Sequence, residues 1–278
     1  MDLSLIKNKL AGMQQSSQPR EKVDYTKIYW KPKVGTHQVR IVPSKFNKQN
    51  PFKEVYFHYG FTKGPILALT NWGEKDPIVE FAKQLRKSSD KEDWQLARKL
   101  DAKMRVFVPI IVRGEEEQGT RLWEFGKEIY QQLLGIAADE DYGDFTDIQD
   151  GRDFTVEATN GEVAGRSVVK CALRPKPKTS AITENATLLQ RILDEQPDIL
   201  SLNRRYSFDD LKSILEKFLN PEDDIEDNVP LASSTVADSV EEPSDLPWDK
   251  PSNSPYVLEN STPKTTNADK FENLFNEQ

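Results

Sequence analysis

Three stretches of this chain set cations directly beside aromatic rings. Tyr25–Lys33, YTKIYWKPK, places Tyr29 and Trp30 among Lys27, Lys31 and Lys33. Arg98–Phe107, RKLDAKMRVF, runs Arg98, Lys99, Lys103 and Arg105 into Phe107. Arg121–Lys127, RLWEFGK, holds Trp123 between Arg121 and Lys127. Cations neutralise phosphates and ring faces stack on bases, so this pairing of residue types suits single-stranded nucleic acid, at roughly 1–3 kcal/mol per stacked base. Within a strand, alternate residues share a face. Arg105 and Phe107 therefore point the same way, as do Arg121, Trp123 and Phe125. Such a face is either a binding platform or half of a core. Phe107 and Phe125 are divided between the two; Trp123, flanked by charge, is expected at the surface.

The residues of catalysis are missing. There is no Gly-x4-Gly-Lys-Ser/Thr loop, no GxSxG and no HExxH. Cys171 is the single cysteine, which excludes an internal disulfide and a CxxC pair. His37 and His58 are the two histidines, so a four-ligand Cys/His zinc site cannot be assembled. No metal and no cofactor is expected. Cys171 reads as a buried structural thiol. The acidic runs Glu115–Glu117 and Asp139–Asp141 fall in expected loops and read as solvated turns, not as the rigidly held carboxylates of a two-metal nuclease.

Charge reverses along the chain. Residues 1–70 carry 12 Lys+Arg against 4 Asp+Glu, whereas residues 221–278 carry 3 against 14. The formal net charge of −8 thus hides a basic body and an acidic tail. A basic, aromatic-rich body points to a polyanion ligand. The tail, interrupted by Pro230, Pro243, Pro247, Pro251, Pro255 and Pro263, lacks the apolar surface to fold and is expected to be disordered. It can compete for the basic groove or recruit partners. At its end, Phe271, Leu274 and Phe275 stand at i, i+3 and i+4, with Asp269 placed to cap a helical turn. That spacing reads as a partner-docking motif. No run of about 18 apolar residues occurs, and no membrane partner is expected.

The elements that must position these residues alternate loosely. A short helix is expected over residues 2–14. Strands are expected over Thr36–Val42, Glu54–Phe61, Ile66–Thr70, Val106–Val112 (with Pro109 marking a bulge or an edge) and Arg121–Phe125. Asp76-Pro77 starts a helix whose apolar face is Ile78, Phe81, Ala82 and Leu85. A second helix follows over about 90–102, a third over Gly126–Ala138, facing inward with Ile129, Tyr130, Leu133 and Leu134. Asp153–Ala158 and Ser167–Leu173 form a hairpin turning at Asn160-Gly161, and 174–182 is a basic connector. Helices over about 185–194 and 208–219 close the body, the last capped by Ser207 with Asp210. The sum is an α+β, mainly β fold: a small barrel with inserted helices, since strands do not alternate with crossover helices.

In order and spacing, these segments resemble the single-stranded DNA-binding, helix-destabilising protein family of T-even-type bacteriophages. The resemblance rests on VRIVPSK at Val39–Lys45, Pro51-Phe52, HYGF at His58–Phe61, WEFGKEIY at Trp123–Tyr130, DGRDFTVEA at Asp150–Ala158, Ser180–Ile182, YSFDDL at Tyr206–Leu211 and the acidic tail. It implies an OB-fold core with a helical subdomain, coating of single strands, and a tail that recruits replication and recombination proteins in the cytoplasm of an infected bacterial host. The family's Cys-Pro-x-Cys step reads Asp76-Pro77-Ile78-Val79 here, without thiols. The subdomain is therefore expected to lack zinc and to be held by Ile78, Phe81, Trp94 and Leu100. The family's basic N-terminal cooperativity motif is represented only by Lys7 and Lys9.

The expected organisation is a self-association arm over 1–19, a DNA-binding core over 20–220 with a helical insertion at about 71–103, and the tail over 221–278. The DNA-binding set is Lys31, Lys33, Arg40, Lys45, Trp72, Arg98, Lys99, Lys103, Arg105, Phe107, Arg121, Trp123 and Lys127. Two rival readings are a protein adaptor acting through the tail and an RNA-binding OB module. An adaptor keeps its activity when Arg98, Lys99 and Arg105 lose their charge.

Overall fold

These patterns build a mixed α+β fold in the computed structural model, which describes residues 24–163, 165–220 and 266–275. In chain order the elements are α1 (Tyr25–Ile28), β1 (Tyr29–Trp30), β2 (Gly35–Ile41), β3 (Lys53–His58), β4 (Ile66–Leu67), a 3-10 turn (Leu69–Trp72), α2 (Pro77–Leu85), α3 (Lys91–Leu100), β5 (Lys103–Val112), a 3-10 turn (Glu116–Gln118), β6 (Arg121–Phe125), α4 (Lys127–Ala137), β7 (Arg152–Val163), β8 (Arg166–Thr179), α5 (Ala186–Asp194), α6 (Ile199–Leu202), α7 (Phe208–Leu219) and α8 (Asn267–Phe275). The expected helix over 2–14, the 1–19 arm and tail residues 221–265 lie outside the described residues. Among the described residues, no helix is long and apolar enough to cross a membrane.

Eight strands form one sheet, ordered β1-β6-β5-β2-β7-β8, with β3 pairing both β4 and β5. Strand β5 takes two partners in succession along one edge. Residues 103–107 pair with β3, and 110–112 pair with β2. Pro109 falls at the changeover. Its carbonyl accepts from the Val42 amide on that edge, so its missing N–H also faces the gap between partners. The ladder to β6 runs unbroken through Pro109↔Leu122. The proline thus marks a change of partner in a central strand, neither the bulge nor the edge expected.

The interior face of the sheet is lined by Val39 and Ile41, by Val106, Val108 and Ile110, by Trp123 and Phe125, and by Phe154 and Val156; α4 closes it with Ile129, Tyr130 and Leu133. Leu134, expected on that face, is exposed. Between β4 and β5, α2 and α3 pack together and against α7 through Ile78, Phe81, Leu85, Ala97, Leu100, Leu211 and Leu215. Burying each large apolar side chain contributes about 1.5–3 kcal/mol. Trp94, expected to hold this cluster, is 50% exposed, because helical phase turns it away from α2. Local capping fixes the starts: Asp76 accepts from the amides of Ile78 and Val79, Asp90 from Glu92, and Ser207 with Asp210 forms a capping box.

The hairpin is longer than expected. Asn160↔Val169 and Gly161↔Val168 are rungs of the β7–β8 ladder, and the turn lies beyond Val163, where Gly165 has φ 76°. At Gly161 the Lys170 side chain lies across the backbone, 2.8 Å from where a Cβ would stand, a contact this exposed, flexible lysine can relieve by moving. Strand β8 also absorbs Arg174–Thr179, expected as a connector. The Glu54–Phe61 strand ends at His58, and Ile66–Thr70 yields two strand residues before the 3-10 turn.

Arg40 is fully buried. Its guanidinium donates to Asp153 Oδ1 at 2.9 Å, to the Gly151 carbonyl at 3.2 Å and to the Ser180 carbonyl at 2.7 Å. Arg113 grips the same carboxylate, with its Nε 3.0 Å from Oδ2. A Cβ at Gly151 would stand 2.3 Å from the Asp147 carbonyl oxygen and 3.0 Å from the Arg40 guanidinium. Gly151→Ala is therefore expected to destabilise the fold by about 2 kcal/mol, read as a lower denaturation midpoint at unchanged m-value.

Candidate nucleic-acid interface

Strand register divides the candidate residues between two faces. In the β3–β5 ladder, Lys53 opposes Phe107, Val55 opposes Arg105, and Phe57 opposes Lys103. Opposed residues share a face. Across β5–β6, Phe107 opposes Glu124 and Pro109 opposes Leu122, while Val108 opposes Trp123. Parallel β1 adds Tyr29 beside Leu122 and Trp30 beside Trp123. One face thus carries Tyr29, Leu122, Glu124, Arg105, Phe107, Lys103, Lys53 and Phe57. Trp30, Trp123 and Phe125 belong to the other, the interior.

The outer face bears a continuous run of rings. Centroid separations are 6.2 Å for Tyr25–Tyr29, 6.3 Å for Tyr29–Phe107, 6.1 Å for Phe107–Phe57 and 6.2 Å for Phe57–Tyr59. Phe57 and Phe107 are the buried members of this run; Tyr29 and Tyr59 are half-buried and Tyr25 is exposed. Burial pushes the Tyr29 hydroxyl up to about 12 and raises that of Tyr59, the latter against the opposing influence of Arg105. Both stay neutral near pH 7 and leave nearby phosphates unrepelled.

Cations border these rings. Arg105 lies beside Tyr59 and 3.6 Å from Glu124, and Lys103 and Lys53 are exposed along the same face. Trp72 and Tyr59 pack against the same apolar cluster, which Ile199 of α6 joins. The Arg205 guanidinium sits 4.7 Å from the Trp72 ring centre, held there by Glu74, and Arg204 stacks 4.6 Å from Tyr206. Tyr59, Arg204 and Arg205 were absent from the expected set. Their signal was present in HYGF and in Arg204-Arg205-Tyr206, both cation–aromatic or aromatic runs.

The expected residues separate accordingly. Phe107, Arg105, Lys103 and Trp72 come together on or beside the outer face. Lys31, Lys33, Arg98, Lys99 and Lys127 are exposed, on β1's exit, α3 and the start of α4. Four of the expected residues are buried: Phe107, 3% exposed in the apolar cluster under the outer face, and Trp123, Arg40 and Arg121. Trp123, expected at the surface, is 1% exposed, wedged between Trp30 and Phe125 at 5.4 and 4.9 Å. Arg40 is spent on Asp153. Arg121 is buried, with one guanidinium nitrogen 2.6 Å from Glu115. Lys45 is exposed and donates to the Asp194 carbonyl at 2.7 Å. Cys171 is half-buried on β8, and burial raises its thiol, as befits a structural residue. Residues 221–278 hold 3 of the 38 cations and 14 of the 46 anions, so residues 1–220 hold 35 against 32. A cationic track therefore depends on where the folded chain gathers its charges.

The family model described as "gp32 DNA binding protein like" matches residues 33–220, a span that contains the β3, β5 and β6 parts of the outer face, Trp72 and Arg205. The chain belongs to the gp32-like DNA-binding family. That family binds single-stranded DNA, in agreement with the resemblance drawn from the sequence. A search of curated proteins gave no significant match. Phe57, Tyr59 and Phe107 of the ring run lie inside the matched span; Tyr25 and Tyr29 precede it.

Proposed function

We propose that this protein binds single-stranded DNA without sequence preference, using the Tyr29–Tyr59 outer face as its base-stacking surface. Lys103, Arg105 and Arg205 take phosphates there; Lys31, Lys33, Arg98, Lys99 and Lys127 extend the track. The branched sheet acts as an OB-fold core with α2 and α3 as its helical subdomain. The protein coats and protects unpaired DNA during phage replication, recombination and repair in the host cytoplasm. It self-associates along the strand through the 1–19 arm, and its acidic tail recruits replication and recombination proteins. Binding only unpaired DNA favours the melted state by mass action. The observation that carries this reading is the gp32-like match over residues 33–220, which include Phe57, Tyr59 and Phe107 of the ring run.

Tryptophan fluorescence tests it. Trp30 and Trp123 are buried, whereas Trp72 is half-buried beside Arg205. Single-stranded DNA is expected to quench emission where duplex DNA does not, with log affinity falling linearly in log salt. Trp72→Phe should abolish most of the quench and Trp123→Phe should retain it. Absence of both quenching and binding at low salt would sink the proposal and leave the tail-led adaptor as the better reading.

A further inference from the structure

The end of the tail is not isolated from the body. Residues 267–275 form α8, which packs on the cluster built by α2, α3 and α7. The expected cap at Asp269 falls inside this helix, which begins two residues earlier. Phe271 is 3% exposed, its ring 5.9 Å from that of Phe81 on α2. Phe275 lies 5.0 Å from Phe271 and 6.1 Å from Phe208 on α7. Leu274 packs on the same cluster. Lys212 of α7 stands over both rings, its ammonium 5.9 and 5.5 Å from their centres.

One polar contact fixes the register of this packing. The Lys270 ammonium lies 2.6 Å from each oxygen of Asp93, whose side chain is only 3% exposed. Asp93 sits in the first turn of α3, where the helix dipole favours a carboxylate. Lys270 is the one cation of the 266–275 segment, and it meets a nearly buried anion. Apolar spacing and charge therefore agree on one docking pose. Residues 221–265 supply the 45-residue connection from α7. At about 3.3 Å per residue, that length permits the return to the body.

We infer that the groove between α2, α3 and α7 is a recognition site for an amphipathic helix of pattern Lys-Phe-x-x-Leu-Phe, and that its ligand is this chain's own residues 267–275. Phe271 is then concealed, and Leu274 and Phe275 are half-covered, while docked. A partner protein that reads them must first draw α8 from the groove. Helix-in-groove recognition normally uses such i, i+3, i+4 anchors, and tethering supplies the ligand at a local concentration on the order of millimolar. The inference does not rest on the DNA-binding proposal, and its test contains no DNA.

The test is a fluorescence-anisotropy titration of a labelled peptide spanning residues 265–278 with the full-length chain. In the wild-type chain the tethered segment competes. In full-length Phe271→Asp the groove is vacated, and the peptide is expected to bind at least tenfold more tightly. Phe275→Asp gives the same gain from a more exposed position, and circular dichroism checks that both variants stay folded. Adding Asp93→Lys to the Phe271→Asp chain should abolish binding, and a Lys270→Asp peptide should restore it. Equal peptide affinity for wild type and both vacated variants, or binding to none of them, overturns the inference. Failure of the charge-swapped peptide to recover affinity overturns the assigned pose.

Discussion

Trp72→Ala is expected to weaken single-stranded DNA binding by roughly ten- to a hundredfold without changing its salt dependence, since a stacked base contributes about 1–3 kcal/mol and no counterion release. The double variant Lys103→Ala/Arg105→Ala should behave differently. Removing two phosphate contacts lowers the slope of log affinity against log salt by about 1.4, at roughly 0.7 per phosphate for single strands. Affinity falls most at low salt and converges with wild type as salt rises. Both groups border the same outer face: Arg105 touches Tyr59, while Trp72 packs with Tyr59 on the cluster below. The interior tryptophan supplies the control. Trp123→Phe alters only core packing, so affinity and slope should hold. Titrations at four or more salt concentrations separate these outcomes. A loss of slope in Trp72→Ala, or an unchanged slope in the double variant, would place the DNA on some other surface.

The second large effect is on folding. Asp76 is 1% exposed and accepts four hydrogen bonds. His58 Nε2 lies 3.0 Å from Oδ2, and the Leu69 amide donates to the same oxygen at 2.8 Å. The amides of Ile78 and Val79 donate to Oδ1 at 3.0 and 3.2 Å. One carboxylate thus ties the end of β3, the 3-10 turn and the start of α2. Asp76→Ala strands a buried imidazole and three amides, and is expected to cost about 3–5 kcal/mol. For a body of this size that lowers the melting temperature by roughly 10 °C. Asp76→Asn, which retains the cap, should cost less.

Acid titration adds a directional check. Burial raises the Asp76 carboxyl, but the His58 ring and the Leu69 and Val79 amides outweigh it and hold the group below its ordinary value of 3.8. A carboxyl depressed by folding contributes stability that is complete above its unfolded value and is lost as pH falls through the folded one. Stability should therefore decline below about pH 4 in the wild type, and more shallowly in Asp76→Asn, when denaturation midpoints are followed from pH 6 to pH 2.5. An identical acid limb in the two proteins would assign that stability elsewhere.

Local chemistry made the helix starts legible. Asp76-Pro77, Asp90 and the Ser207–Asp210 box are each decided within four residues, so reading them needed no knowledge of the rest of the chain. The apolar face of α2 was legible for the same reason: its period is intrinsic to the helix. Strand parity was legible too, since Arg105 with Phe107 and Arg121 with Trp123 do share faces. Parity cannot say which face is inside. Register supplies that by setting Phe107 against Glu124 rather than Trp123, which turns the two sets to opposite sides of one sheet.

Charge followed the same division. The sequence by itself determined that cations and rings alternate, that an acidic segment ends in Phe-x-x-Leu-Phe, and that the chain resembles the gp32-like family. Which cations face solvent was decided only by tertiary structure. Arg40 is drawn inward by Asp153, 113 residues away, and Arg121 by Glu115. The tail motif shows the limit most plainly. Its helical spacing is written in five residues, but its partner on the body is not, because Asp93 lies 177 positions from Lys270. A local pattern fixes which side chains share a face. What covers that face depends on long-range packing, where burial and charge complementarity are settled together.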